Sequence, residues 1–265
     1  MLKQRVLSAF VIGPIVLGTL YLGGIWFFAL LVLVSLLAGY EFYRLVSNIG
    51  YRPTLPFGLT LILLLLLDAR YPAWSLGRAS LALILLLSLT WQLFRKDSDQ
   101  LLISWALMLA GAIYVGGLLS YFVLLRNLNQ GLYWTALALF VTWSHDSGAY
   151  LAGRLAGHRP FFARISPHKT QEGAIGGVLS GLGATAILGP NLLKLSVAHS
   201  LTLGLLLVLA AIFGDLVESL IKRQVGAKDS GALIPGHGGM LDRVDSLLFA
   251  AVVTYYYAIW VVGID

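Results

Sequence analysis

The densest chemistry in this sequence lies between Gly214 and Asp245. Asp215, Glu218, Ser219 and Lys222 stand at i, i+3, i+4 and i+7, which on a helix is one face. Asp242 and Asp245 repeat the three-residue spacing at the start of the next apolar run. Carboxylates converging from two helices suit an oxygen-seeking cation. Mg²⁺ takes one or two carboxylates and completes its shell with substrate phosphates and water. Between the two helices runs Pro235-Gly236-His237-Gly238-Gly239, where the absence of Cβ atoms lets backbone N–H groups close on an anion. Lys222, Arg223, Lys228 and Arg243 add positive charge around it. Each part alone has an ordinary reading: a turn, a solvated helix face, anchoring charges. Gathered in one stretch that begins inside an apolar run, they point to phosphate chemistry beside lipid.

Two further polar clusters precede it. Ser144-His145-Asp146-Ser147 follows too few apolar residues for a crossing, so its helix either continues through Asp146 or ends early beside a wet cavity. A carboxylate at membrane depth costs about 2.5–3.5 kcal/mol on insertion scales and is kept where it faces protein or water. The segment Arg154 to Glu172 carries Arg159, Arg164 and Lys169, with Ser166 or Thr170 near the cap of the next helix. Its basic residues suit a polyanion or lipid headgroups, and equally the ordinary decoration of a cytoplasmic loop.

The elements that position these residues follow from composition. Of 265 residues, 58% are hydrophobic and 11% charged, with no cysteine. Ordinary soluble domains are about 45–50% apolar and about 25% charged, so thirty charges are too few to cover a soluble fold. Disorder and a disulfide scaffold are excluded as well. The sequence predicts an all-α polytopic transmembrane bundle of about nine spans, near 6–22, 25–46, 54–69, 77–94, 101–125, 132–152, 173–190, 199–221 and 246–263. Gly23-Gly24 predicts a tight hairpin between the first two, and Pro53, Pro56, Pro72, Pro160 and Pro190 fall in or beside connections. Lys3 and Arg5 precede the first apolar run, but no small-x-small cleavage site follows, so it reads as a span rather than a signal peptide. Residues 1–130 form an N-terminal region of about five spans, and 131–265 a catalytic region of about four spans with its loops.

With nine spans, fourteen of the eighteen Lys and Arg and ten of the twelve Asp and Glu fall on one side. The basic bias makes that side cytoplasmic. It accounts for the net charge of +6 without a nucleic acid partner. The acidic bias has no such sorting cause and reads as a site facing the cytoplasm. The first half looks poor in chemistry. Glu41 and Arg44 read as an i, i+3 pair on a helix surface, and Trp26, Trp74, Trp91, Trp105 and Trp134 as interfacial belt residues.

Ser219 through Asp245 resembles the signature of the phosphatidate cytidylyltransferase, or CDP-diacylglycerol synthase, family. It matches Ser-x-apolar-Lys-Arg, Lys-Asp-x-small, His-Gly-Gly and Asp-Arg-apolar-Asp at every fixed position, without a gap. Asp146 to Gly153 and Ser166 to Gly173 look like the family's Asp-x-x-Ala-Tyr-x-x-Gly and Ser-Pro-x-Lys-Thr-x-Glu-Gly segments. The resemblance implies an integral protein of the cytoplasmic (inner) membrane. Its reaction is CTP plus phosphatidic acid to CDP-diacylglycerol and pyrophosphate, with Mg²⁺. A second, monovalent cation such as K⁺ and a homodimer stay open. Asp215, Asp242 and Asp245 are the expected metal ligands, with His237 and Lys228 in the chemistry. Ser219, Lys222, Arg223, Gly236, Gly238, Gly239 and Arg243 are expected to hold substrate, with Asp146, Lys169 and Glu172 completing the cavity. Lipid would enter laterally from the bilayer and CTP from the cytoplasm. The residues alone do not name cytidine. A CTP-dependent polyprenol kinase, a phosphoglycosyl transferase and a cation-coupled transporter remain alternatives, although a transporter would place its ionisable groups near the midplane.

Overall fold

The computed structural model describes residues 2–96, 100–233 and 238–264, with side chains from residue 10 onward. Ten α-helices follow one another: α1 (Leu2–Leu22), α2 (Gly24–Ser47), α3 (Leu55–Arg70), α4 (Leu76–Gln92), α5 (Leu101–Gly111), α6 (Leu118–Asn127), α7 (Gly131–Ala156), α8 (Gln171–Leu193), α9 (Val197–Gln224) and α10 (Leu241–Tyr256). A π-helical stretch, Ala112–Gly117, carries α5 into α6 without a break, and another, Tyr257–Val262, extends α10. Among the described residues these make nine continuous rods, matching the nine apolar runs. There is no strand among them, only one isolated bridge between Pro160 and Thr170.

Five rods are long and apolar enough to cross a membrane: Gly24–Ser47, Leu101–Asn127, Gln171–Leu193, Val197–Gln224 and Leu241–Val262. The others differ for visible reasons. The helices α3 and α4 have 16 and 17 residues, short against the roughly 20 that about 30 Å of hydrocarbon requires. The helix α7 is 26 residues long but carries the polar cluster at Ser144 to Ser147. It runs unbroken through His145 and Asp146, so the first of the two readings for that segment holds. Gly23 and Gly24 have φ of 62° and 51°, the left-handed backbone that a one-residue link between α1 and α2 needs.

The chain divides into two units. The first comprises residues 1–124 and 224–244. In it, α2 is held against α3 and α5 by aromatic rings set into glycine notches. The Tyr43 ring fills the space beside Gly58, Phe42 and Tyr43 press on Gly111, and Ile62 lies over Gly39 and Gly116. The buried Tyr43 hydroxyl donates to the carbonyl of Met108 at 2.8 Å. One face of α2 is therefore fixed in rotation as well as in depth.

The second unit comprises residues 125–223 and 245–265. In it, α8 packs through a single face, whose buried residues are Gly173, Gly177, Gly181, Thr185, Gly189 and Leu193. A small residue every fourth position lets neighbouring backbones approach closely where lipid leaves no hydrophobic force between helices. A Cβ on Gly176 would strike Ala152 of α7, and one on Gly181 would strike Val208 of α9. The Thr185 hydroxyl fills the space over Gly204 of α9. Two sequence expectations change here. Trp134 is fully buried, a core residue and not a belt residue, because its position early in α7 is covered by protein. Pro190 lies inside the last turns of α8 instead of in a connection.

The spacing along α8 generates a prediction. A Cβ at Gly177 would stand 2.6 Å from Cε1 of the buried His145 ring, whereas one at Gly183 meets nothing within 4 Å. Gly177→Ala should cost about 1–3 kcal/mol by overpacking, and Gly183→Ala should be neutral or stabilising. Thermal unfolding of the two purified proteins in detergent gives the comparison.

Candidate active site

In the second unit the polar residues of α9 turn inward as two pairs. Asp215 accepts from the Ser219 hydroxyl at 3.3 Å, and Glu218 forms an ion pair with Lys222. Both pairs are i, i+4, so the stripe expected from spacing exists, and Glu218 is fully buried. The Lys222 ammonium offsets part of the desolvation cost of that buried carboxylate. Lys169, from the loop before α8, reaches Asp215 at 2.5 Å.

Gly214 brings the next carboxylate in. A Cβ there would stand 2.5 Å from the carbonyl oxygen of Asp245 and 3.0 Å from Cα of Ser246, so α9 and α10 touch backbone to backbone one residue from Asp215. Asp245 is half-buried, and its Oδ1 accepts from the N–H of Ser246 at 2.6 Å. It lies within electrostatic reach of Asp215, of Asp146 on α7 and of Lys222. Beside them the His145 ring is buried, 5% exposed, and its Nδ1 has no hydrogen-bond partner among the described residues.

The loop that delivers Lys169 is folded by its own backbone. The N–H of Phe161 donates to the carbonyl of Lys169 at 2.8 Å, and the N–H of Gln171 to that of Arg159 at 2.9 Å. Glu172 accepts from the N–H groups of His158 and Arg159 at 3.1 and 3.2 Å. Its carboxylate thus shapes the loop. Thr170 is the N-cap of α8, its hydroxyl accepting from the N–H of Gly173 at 3.1 Å, which decides between the two candidate caps. Arg223, at the end of α9, donates from Nε to the carbonyl of Ile165 at 3.2 Å and ties the loop to that helix.

The first unit holds a second polar cluster. Asp242 Oδ2 accepts from the N–H of Ser230 at 2.9 Å, the Ser230 hydroxyl at 2.9 Å and the N–H of Gly239 at 2.8 Å. Glu41, from α2, accepts from the same hydroxyl at 3.0 Å and from the N–H of Leu241 at 2.9 Å. Gly238 has φ +80°, a left-handed residue in the turn before α10. Lys228 and Arg243 are exposed. Gly236 and His237 lie outside the described residues.

Residues 3–261 match the cytidylyltransferase family. The chain belongs to that family. It is 36% identical to a phosphatidate cytidylyltransferase of Bacillus subtilis, over 96% of this chain and 97% of the relative. A protein of the same name from Synechocystis is 35% identical over 97% of this chain and 96% of its own length. One from Brucella suis is 36% identical over 97% and 93%.

Within this cytidylyltransferase, Asp146, Lys169, Asp215, Ser219, Lys222 and Asp245 are gathered in the second unit. Gly238, Gly239 and Asp242 belong to the first. Glu41 was misread: it makes no surface pair with Arg44, which is exposed, but is itself 5% exposed and bonded to the signature loop. The signal available was an acidic residue inside an apolar run, flanked by Tyr40, Phe42 and Tyr43. Such a residue is a functional candidate by default. The capping bond at Thr170 sets a smaller test. Thr170→Ala should destabilise the protein by about 1 kcal/mol, seen as a lower midpoint of thermal unfolding.

Proposed function

We propose that this chain transfers CMP from CTP to phosphatidic acid, giving CDP-diacylglycerol and pyrophosphate. The observation that carries the reading is the closure of α9 on α10 at Gly214. It brings the backbones at Asp215 and Asp245 together, leaving the two carboxylates within electrostatic reach and Lys169 paired with Asp215. The names of the full-length relatives supply the substrates. Membrane helices supply the setting that a lipid substrate needs.

The donor chemistry fits Mg²⁺. Among the described residues no group of three or more His, Asp or Glu side chains forms a metal cluster. Mg²⁺ does not require one, since one or two carboxylates with substrate phosphates and water suffice. Asp215 and Asp245 would hold it, and when bound it would supply charge neutralisation at the phosphates. Asp242, also expected as a ligand, has its Oδ2 engaged by the loop, so the metal assignment rests first on the other two.

The remaining burden falls on the chain. A phosphate oxygen of phosphatidic acid attacks the α-phosphorus of CTP, forming one P–O bond. The bond from that phosphorus to the oxygen bridging to the β-phosphate breaks, and pyrophosphate leaves with the electron pair. The nucleophile is already an anion, so no strong base is needed. The difficulty is bringing two anions together, which fixed positive charge relieves. Lys169 and Lys222 already stand among the carboxylates. Arg223 braces the loop, while Lys228 and Arg243 are exposed and available to phosphates arriving from solution. In this reading all nine rods cross the inner membrane, with the signature loop in the cytoplasm.

Incubating the purified protein with labelled CTP, phosphatidic acid and Mg²⁺ should yield labelled CDP-diacylglycerol and pyrophosphate. CDP as the product would instead indicate a kinase, and no CTP turnover a transporter. Asp215→Asn and Asp245→Asn should each lower turnover by about 10²–10³-fold while the protein stays folded. Full activity in either variant would overturn the metal assignment. A cysteine placed at Ala232 should label only from the cytoplasmic side of sealed vesicles, and labelling from outside would overturn the orientation.

A further inference from the structure

Glu41 lies 189 positions before Ser230 in the sequence, in a helix with no other acidic residue. Its Oε2 receives the hydroxyl of Ser230 and the N–H of Leu241. Those are the two ends of the segment 230–241, which contains the glycines of the signature. One carboxylate oxygen of Glu41 therefore ties Ser230 to Leu241, as Asp242 Oδ2 ties Ser230 to Gly239. The glycines are what permit it. A Cβ on Gly231 would stand 2.6 Å from Glu41 Oε1, and one on Gly239 would overlap Glu41 Oε2 and the Ser230 hydroxyl. Glu41 Oε1 is buried and has no hydrogen-bond partner among the described residues. The burial of this carboxylate is thus repaid only by what the loop gives it.

The support behind Glu41 is rigid. Phe42 and Tyr43, the next two residues, are the rings set against Gly111 and Gly58, and the Tyr43 hydroxyl is bonded to Met108. The loop is thereby referred to a fixed helix and not merely to its own turn. Asp242 is tied into the same arrangement, because the Ser230 N–H donates to its Oδ2 whichever carboxylate takes the hydroxyl proton. The Ser230 hydroxyl has one proton and two carboxylate acceptors, while its oxygen also lies 3.3 Å from the N–H of Asp242.

We infer that Glu41 is a positioning residue of the transferase: from α2 it holds Ser230 and Leu241, on either side of the signature loop, and so sets Gly231, Gly238 and Gly239 for the substrate phosphates. It touches no substrate itself. The inference rests on the cytidylyl-transfer reading for its kinetic consequence, though the clamp is a separate fact about the loop.

The test compares Glu41→Ala, Glu41→Asp and Glu41→Gln in the full-length protein. Two measurements are made, kcat per mole of folded enzyme and amide hydrogen exchange over 228–243. A displacement on the order of 1 Å at a reacting group can cost about 10²-fold in rate. Ala, which has no acceptor, and Asp, one methylene too short, should lower kcat by about that factor and speed exchange in the loop. Gln keeps a carbonyl acceptor of the right reach and should restore both to near the wild-type values. If Glu41→Ala fails to fold, Glu41→Gln and Ser230→Ala decide, the second removing one arm of the clamp and being expected to speed exchange and slow turnover. Normal kcat in a variant with a loosened loop would overturn the positioning role, since the clamp would then serve stability alone. Unchanged exchange would overturn the clamp. Absence of CDP-diacylglycerol synthesis by the wild-type protein would overturn the activity reading and leave the exchange result to judge the clamp.

Discussion

An ionised carboxylate placed on an apolar helix needs a donor or a cation within reach, since the alternative is a desolvation cost of several kcal/mol. The loops of this protein are arranged around that requirement. Asp215 draws in Lys169 and Ser219, Glu218 draws in Lys222, and Glu41 and Asp242 draw in Ser230 with backbone N–H groups. In each case the partner belongs to the same helix or to a segment that enters from outside the helices. The carboxylates thereby determine where the connecting segments lie. The segment before α8 is fastened at Lys169, at Glu172 and at Arg223, and the segment before α10 at Glu41 and Asp242.

Close backbone approach is the second half of the design. Donors and acceptors can meet only if the helices that carry them touch, and glycine is where they touch. Gly214 lets α9 meet α10 beside Asp215 and Asp245, and Gly231 and Gly239 let the loop close over Glu41. Along α8 the same device has no polar consequence of its own. It brings α7, with His145 and Asp146, against the helix that follows the Lys169 loop.

Much of this is legible in the amino-acid sequence. Apolar run length predicts the helices because a helix spanning hydrocarbon leaves little choice of composition. The i, i+3, i+4, i+7 spacing from Asp215 to Lys222 survives as real pairs because it is local geometry, fixed by 3.6 residues per turn. The resemblance carried by Ser219 to Asp245 agrees with the family match. What periodicity could not convey was long-range partnership. Glu41 looks like a helix-surface charge until Ser230 and Leu241 arrive beside it. Trp134 looks like a belt residue until helices cover it. The role of Glu172 was hidden similarly, since its partners are backbone amides, which no side-chain pattern announces.

The sharing of single oxygens between the two ends of the loop has a further consequence. Ser230 and Leu241 share Glu41 Oε2, and Ser230 and Gly239 share Asp242 Oδ2. The fastening is therefore redundant: with either carboxylate removed the attachment loosens, but the other still joins the beginning of the segment to its end.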